Sequence, residues 1–110
     1  MKKIIGYTTR VFDLFHIEHL NILRNAKANC DYLIVGVIMD EKTFRLKNNY
    51  LIIPFKERIE IINSIKFVDE IYKEADSDKL ITYNDLIFNI LFKGANFNSQ
   101  KITYYKHIYP

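Results

Sequence analysis

The chain has 110 residues, 49% of them hydrophobic and 26% charged, which is the length and make-up of one folded domain and excludes a disordered tail. Lys+Arg 16 against Asp+Glu 13 leaves +3, too little and too dispersed to mark a nucleic-acid or membrane-surface binder. A single cysteine, Cys30, excludes an internal disulfide and a cysteine zinc cage, and no apolar run approaches the roughly 20 residues of a membrane-crossing helix.

Met1 to Tyr7 has a basic tip but no apolar stretch of signal-peptide length, so a cytoplasmic location is expected. Lys3 to Thr8 reads as a short strand. Ile17 to Asn29 carries Ile17, Leu20, Leu23 and Ala26 at helical spacing. Asp31 to Met39 is a continuous β-branched run, as in a strand buried on both faces. Pro54 to Ile65 opens with proline and places Phe55, Ile59, Ile62 and Ile65 on one helical face. Phe67 to Tyr72 reads as a strand, Asp76 to Leu86 as a helix, and Phe88 to Lys93 as a fourth strand stopped by Gly94. The remainder, Ala95 to Pro110, has no clear pattern. Alternating strands and helices predict an α/β, Rossmann-like three-layer fold, with a parallel sheet of four or five strands and helices on both faces.

Ligands in such sheets sit beyond the carboxyl ends of the strands, so the loop after the first strand is the place to look for chemistry. It ends in His16 and His19, three apart at a helix start and therefore on one face. The pair suits an anion, because helix-start amides and two imidazoles can donate to phosphate. Taken alone, the pair also suits helix capping or plain exposure, the usual fate of such a spacing. Zinc fits poorly, since no cysteine adjoins and the spacing is not that of a zinc protease helix. Cys30 reads as a small buried residue, with no basic neighbour to activate it.

The segment Tyr7-Thr8-Thr9-Arg10-Val11-Phe12-Asp13-Leu14-Phe15-His16-Ile17-Glu18-His19 resembles the signature of the cytidylyltransferase-like nucleotidyltransferases, a strand and then G-x-F-D-x-x-H-x-G-H opening a helix. Four later stretches fit the same family in order: Asp31 to Val37, Asp40-Glu41, Ile53-Pro54-Phe55-Lys56-Glu57-Arg58 and Ile65-Lys66-Phe67-Val68-Asp69-Glu70. The pattern is most similar to that of the glycerol-3-phosphate cytidylyltransferases.

The resemblance implies transfer of CMP from CTP to a small phosphorylated acceptor such as glycerol 3-phosphate, with Mg²⁺ on the phosphates and no metal site of the protein's own. It implies catalytic roles for His16, His19 and Lys47. Nucleotide contacts fall to Thr8, Thr9, Arg10, Phe12, Asp13 and Gly94, and substrate contacts to Arg58 and Asp69. Family members commonly form homodimers, and some use ATP in place of CTP. Arg58 beside Asp69 or Glu57 also suits a surface ion pair.

The chain departs from the pattern at four places. Arg10 and Glu18 stand where the signature has glycines, Gly94-Ala95-Asn96-Phe97 lacks the family's carboxylates and tryptophan, and no R-T-x-G-x-S-[ST] loop follows. Residues 1–110 therefore read as a single domain without the family's C-terminal segment. Three readings compete: an active cytidylyltransferase, a degenerate member that binds nucleotide or forms oligomers, and an ATP-using adenylyltransferase.

Overall fold

The computed structural model describes residues 3–39, 52–74, 86–92 and, for the backbone alone, 102–104. The elements are β1 (Ile5–Arg10), α1 (Ile17–Ala28), β2 (Tyr32–Ile38), α2 (Phe55–Asn63), β3 (Glu70–Glu74), β4 (Ile90–Phe92) and β5 (Ile102–Tyr104). They form one sheet in the order β3-β2-β1-β4-β5. The first four strands are parallel, with Tyr7 opposite Ile34 and Leu91, and Ile38 opposite Glu74. β5 runs antiparallel to β4. The Rossmann-like expectation of four parallel strands therefore holds, and the patternless C-terminal segment supplies the fifth strand in the opposite sense. The helix expected over 76–86 lies almost wholly outside the described residues.

Strand alternation sorts the sheet into two faces. One carries Leu33, Val35, Val37, Ile90 and Phe92, buried together with Leu23 and Ala26 of α1 and Ile62 of α2. Both described helices thus cover this face. The other face buries Tyr7, Ile34 and Leu91 beneath Phe88, with Leu86 at its margin.

Two glycines mark close approaches. A Cβ on Gly36 would collide with the hydroxyl of Tyr7, whose ring crosses it. A Cβ on Gly6 would lie 2.5 Å from the Phe92 ring and 2.9 Å from Cys30 Sγ. Cys30 in turn donates to the Ala26 carbonyl at 3.3 Å, and burial pushes its thiol up to about 11.

Differences from the expected elements have local causes. β3 begins at Glu70 rather than Phe67, because the chain turns at Lys66-Phe67 and Val68 N–H closes back on Ile65 O at 3.1 Å. Ile17, expected on the buried stripe of α1, is 61% exposed: it lies in the first turn, five residues ahead of the first buried position, Ile22.

Candidate nucleotide site

β1 is central, and the chain passes from it outward to β2 and β3 before returning to β4 on its other side. The carboxyl end of β1 is therefore the switch point, the place where ligands bind in open parallel sheets. Residues 11–16 leave that end and lead into α1.

The loop holds two left-handed residues that are not glycine, Phe12 at φ 57° and Leu14 at φ 52°. Such a backbone costs about 1–3 kcal/mol per residue and persists only where its surroundings impose it. Here they do. Phe12 is 2% exposed and meets the rings of Phe15 and His19 at 6.3 and 5.6 Å. Asp13 accepts from the backbone N–H groups of Ile52 and Ile53, both at 2.9 Å. Burial alone would push the Asp13 carboxyl up; those two amides and the Arg58 charge outweigh it and hold it below its ordinary value.

Arg58 completes the scaffold. Its guanidinium is 0% exposed and donates to Val11 O at 2.6 Å, Ile38 O at 2.8 Å and Ile53 O at 3.0 Å, above the Phe55 ring at 5.3 Å. One side chain thus joins the ends of β1 and β2 to the turn that starts α2. This corrects both sequence expectations for Arg58. It is neither a surface ion pair nor an exposed group, because the side chain is fully buried and spends its donors on backbone carbonyls.

The histidines come together as expected. The His16 backbone N–H donates to His19 Nδ1 at 3.2 Å, closing the start of α1. A fixed N–H donor requires that Nδ1 be unprotonated, so the His19 proton sits on Nε2. His16 Nδ1 lies 3.1 Å from the same nitrogen, and His16 Nε2 lies 3.6 Å from Glu18 Oε2. Burial, the nearby His16 and Arg10 charges, in that order, pull His19 below its ordinary value, against an opposing pull from Glu18. His19 is therefore neutral at pH 7, while Arg10 lies within electrostatic reach of it.

Other expected residues stand elsewhere. The Thr8 hydroxyl is buried and faces Phe92 O at 3.5 Å, while the Thr9 hydroxyl donates to Glu74 Oε2 at 3.1 Å on the opposite face of the sheet. Strand alternation turns neither hydroxyl toward the loop. Phe12 is a core residue. Asp69 sits at the amino end of β3, where it accepts from Leu33 N–H at 2.8 Å and pairs with Lys27 at 2.6 Å. The opposite end of the sheet cannot contribute to a site beyond β1, so the expected substrate contact by Asp69 is corrected to a structural one. Lys47 and Gly94 lie outside the described residues.

The sequence reading missed Glu74. It is 1% exposed and takes the Tyr7 hydroxyl at 2.8 Å as well as Thr9. Burial first, then the Glu74 charge, pushes the Tyr7 hydroxyl far above its ordinary value, so it stays a donor. The glycine inside the β-branched run of β2 was the available signal, since such a residue often marks a close approach.

A family model described as cytidylyltransferase-like matches residues 7–105. The chain belongs to the cytidylyltransferase-like family. Among curated relatives it is 36% identical over 74 residues to an ethanolamine-phosphate cytidylyltransferase of Arabidopsis thaliana, covering 67% of this chain and 17% of that one. It is 30% identical over 99 residues to the bifunctional protein HldE of Granulibacter bethesdensis, covering 89% and 20%. It is 33% identical over 100 residues to an FAD synthase of Thermococcus kodakarensis, covering 80% and 67%. The chain thus spans about a fifth of the length of the first two relatives. A solved lipopolysaccharide core biosynthesis protein from Thermoplasma volcanium superposes with a TM-score of 0.78 at 27% identity, covering 90% of this chain and 82% of that one. The loop with His16 and His19 lies within the matched span.

Proposed function

We propose that this chain transfers CMP from CTP to the phosphate of a small acceptor such as glycerol 3-phosphate. An acceptor phosphate oxygen attacks the α-phosphorus in line. The new P–O bond forms as the bond to the bridging oxygen breaks, and pyrophosphate leaves with that electron pair. The observation that carries the reading is the pairing of His16 and His19 at the start of α1, beyond the switch point of the sheet.

No covalent intermediate is needed, so the protein contributes position and charge. His19 Nε2–H is a neutral donor. Arg10 and Lys47 supply charge, His16 adds a second imidazole, and the first-turn amides of α1 point the same way. Phe12 and Asp13 shape the loop that meets the nucleotide, and Arg58 acts through that loop. Among the described residues no cluster of three His, Cys, Asp or Glu side chains could hold a metal. In this reading Mg²⁺ arrives with the triphosphate, as part of the substrate.

The likeness to an FAD synthase keeps ATP as a second donor to be tried. No described helix is long and apolar enough to cross a membrane. The reading places the protein in the cytoplasm, where nucleoside triphosphates are available. The test is pyrophosphate release with CTP or ATP and Mg²⁺, offered glycerol 3-phosphate or phosphoethanolamine. Release with CTP and one acceptor supports the reading, and release with ATP alone replaces the donor. Stabilisation by nucleotide without release at high enzyme points instead to a silent binding protein.

A further inference from the structure

Three groups at the switch point differ in what they have left to offer. Both ring nitrogens of His16 already face protein partners, Nδ1 toward His19 and Nε2 toward Glu18. The Nε2–Glu18 separation of 3.6 Å is beyond hydrogen-bond reach and both side chains are exposed, so the pair is weak and salt-sensitive. It leaves a carboxylate beside the outer nitrogen of His16, which opposes an anion approaching that ring. His19 has one nitrogen committed to the loop and one N–H unspent, on a neutral ring.

Arg10 is unlike either. It ends β1, is half-buried, and has no hydrogen-bond or ion-pair partner among the described residues. Alternation places it on the sheet face that α1 covers, with Gly6 and Thr8. Nearby Arg58 is buried completely and donates to three carbonyls, whereas the Arg10 guanidinium meets no such acceptor among the described residues. A guanidinium keeps its charge at all ordinary pH values and offers paired donors that match two phosphate oxygens.

We propose that Arg10 is the main charge this site presents to a polyphosphate, with His19 Nε2–H as its neutral partner and His16 reduced by Glu18 to a minor contributor. This rests on the nucleotidyltransferase reading for its substrate class and adds the ranking of residues. The ranking also assigns Glu18 a role. Its carboxylate beside His16 weakens that residue's hold on an anion, and Arg10 offsets the negative charge.

The test measures binding of inorganic tripolyphosphate by calorimetry to the full chain and to four variants, each checked by thermal melting. Arg10→Gln is expected to weaken binding at least tenfold and to flatten its salt dependence, with Arg10→Lys recovering part of the loss. His16→Gln is expected to cost about threefold, and Glu18→Gln to tighten binding by a few-fold. The proposal is overturned if the parent protein does not bind tripolyphosphate, if Arg10→Gln stays within threefold of it, or if His16→Gln costs more than Arg10→Gln. Failure of the underlying reading looks different: no nucleotide and acceptor pair releases pyrophosphate, while tripolyphosphate binding remains dependent on Arg10.

Discussion

Tyr7 on β1 reaches across Gly36 on β2 and donates its hydroxyl to Glu74 on β3 at 2.8 Å. Three adjacent strands are thereby pinned on the face opposite the described helices. Tyr7→Phe leaves the buried Glu74 short of a donor and is expected to cost about 1–3 kcal/mol. Gly36→Ala drives a methyl into the Tyr7 hydroxyl and is expected to cost about as much, as overpacking does. The double variant should cost less than the sum, because removing the hydroxyl opens part of the space the methyl needs. Urea unfolding of the four proteins checks this, and strict additivity would refute the crossing described here.

Arg58 gives a second prediction. Truncation to alanine leaves the carbonyls of Val11, Ile38 and Ile53 without their donor, at about 1–3 kcal/mol each where burial persists. A loss of about 3 kcal/mol or more is expected, a large part of the stability of a domain this small. Arg58→Lys restores charge but not the fork, and should recover only part of it. If either variant melts like the parent, the strut role is wrong.

Acid should unfold the protein through Asp13 and Asp69. Both carboxyls are held below their ordinary value of 3.8: burial opposes ionisation, and amide hydrogen bonds with nearby cationic charge prevail. A depressed carboxylate stabilises fully above its unfolded value, and that contribution is lost as pH falls through the lower folded value. Stability should therefore decline below about pH 4. Asp13→Asn and Asp69→Asn should each lower stability at pH 7 and shallow the acid slope, seen in melting temperature against pH.

His19 carries the opposite charge type with the same sign of pH dependence. Its folded value lies below 6.5, so the stability it contributes is present above 6.5 and is lost as pH falls through that lower value. Nitrogen-15 spectra should show the Nε2–H form at pH 7 and a titration midpoint below 6.5. A proton on Nδ1 would contradict the hydrogen bond from the His16 amide.

Much of this was legible in the sequence. The β-branched run at 32–38, the helical stripes and the order of elements placed β1, α1, β2 and α2 within a few residues, because each is a local pattern. His16 and His19 were legible because three-residue spacing in a helix is itself a geometry. Glu74 was not, since its partners come from β1 and depend on register across three strands. Thr8 and Thr9 seemed to adjoin the loop in sequence, but consecutive strand residues face opposite ways. Arg58 carried an unread signal. It stands three after Phe55 and four before Ile62, inside the apolar stripe, where a charged residue must bring its partners with it. Asp69 was misplaced because sequence proximity to a motif says nothing about which end of a parallel strand it occupies.

The contact at Gly6 has a consequence for how this sequence can vary. Gly6, Cys30 and Phe92 share one volume where β1, the residues after α1 and β4 meet, with a Cβ on Gly6 falling 2.5 Å from one neighbour and 2.9 Å from the other. None of the three can enlarge alone. Relatives that carry alanine or a larger residue at this place in β1 should carry compensating reductions at the other two, so that three positions far apart in the chain drift as a single unit.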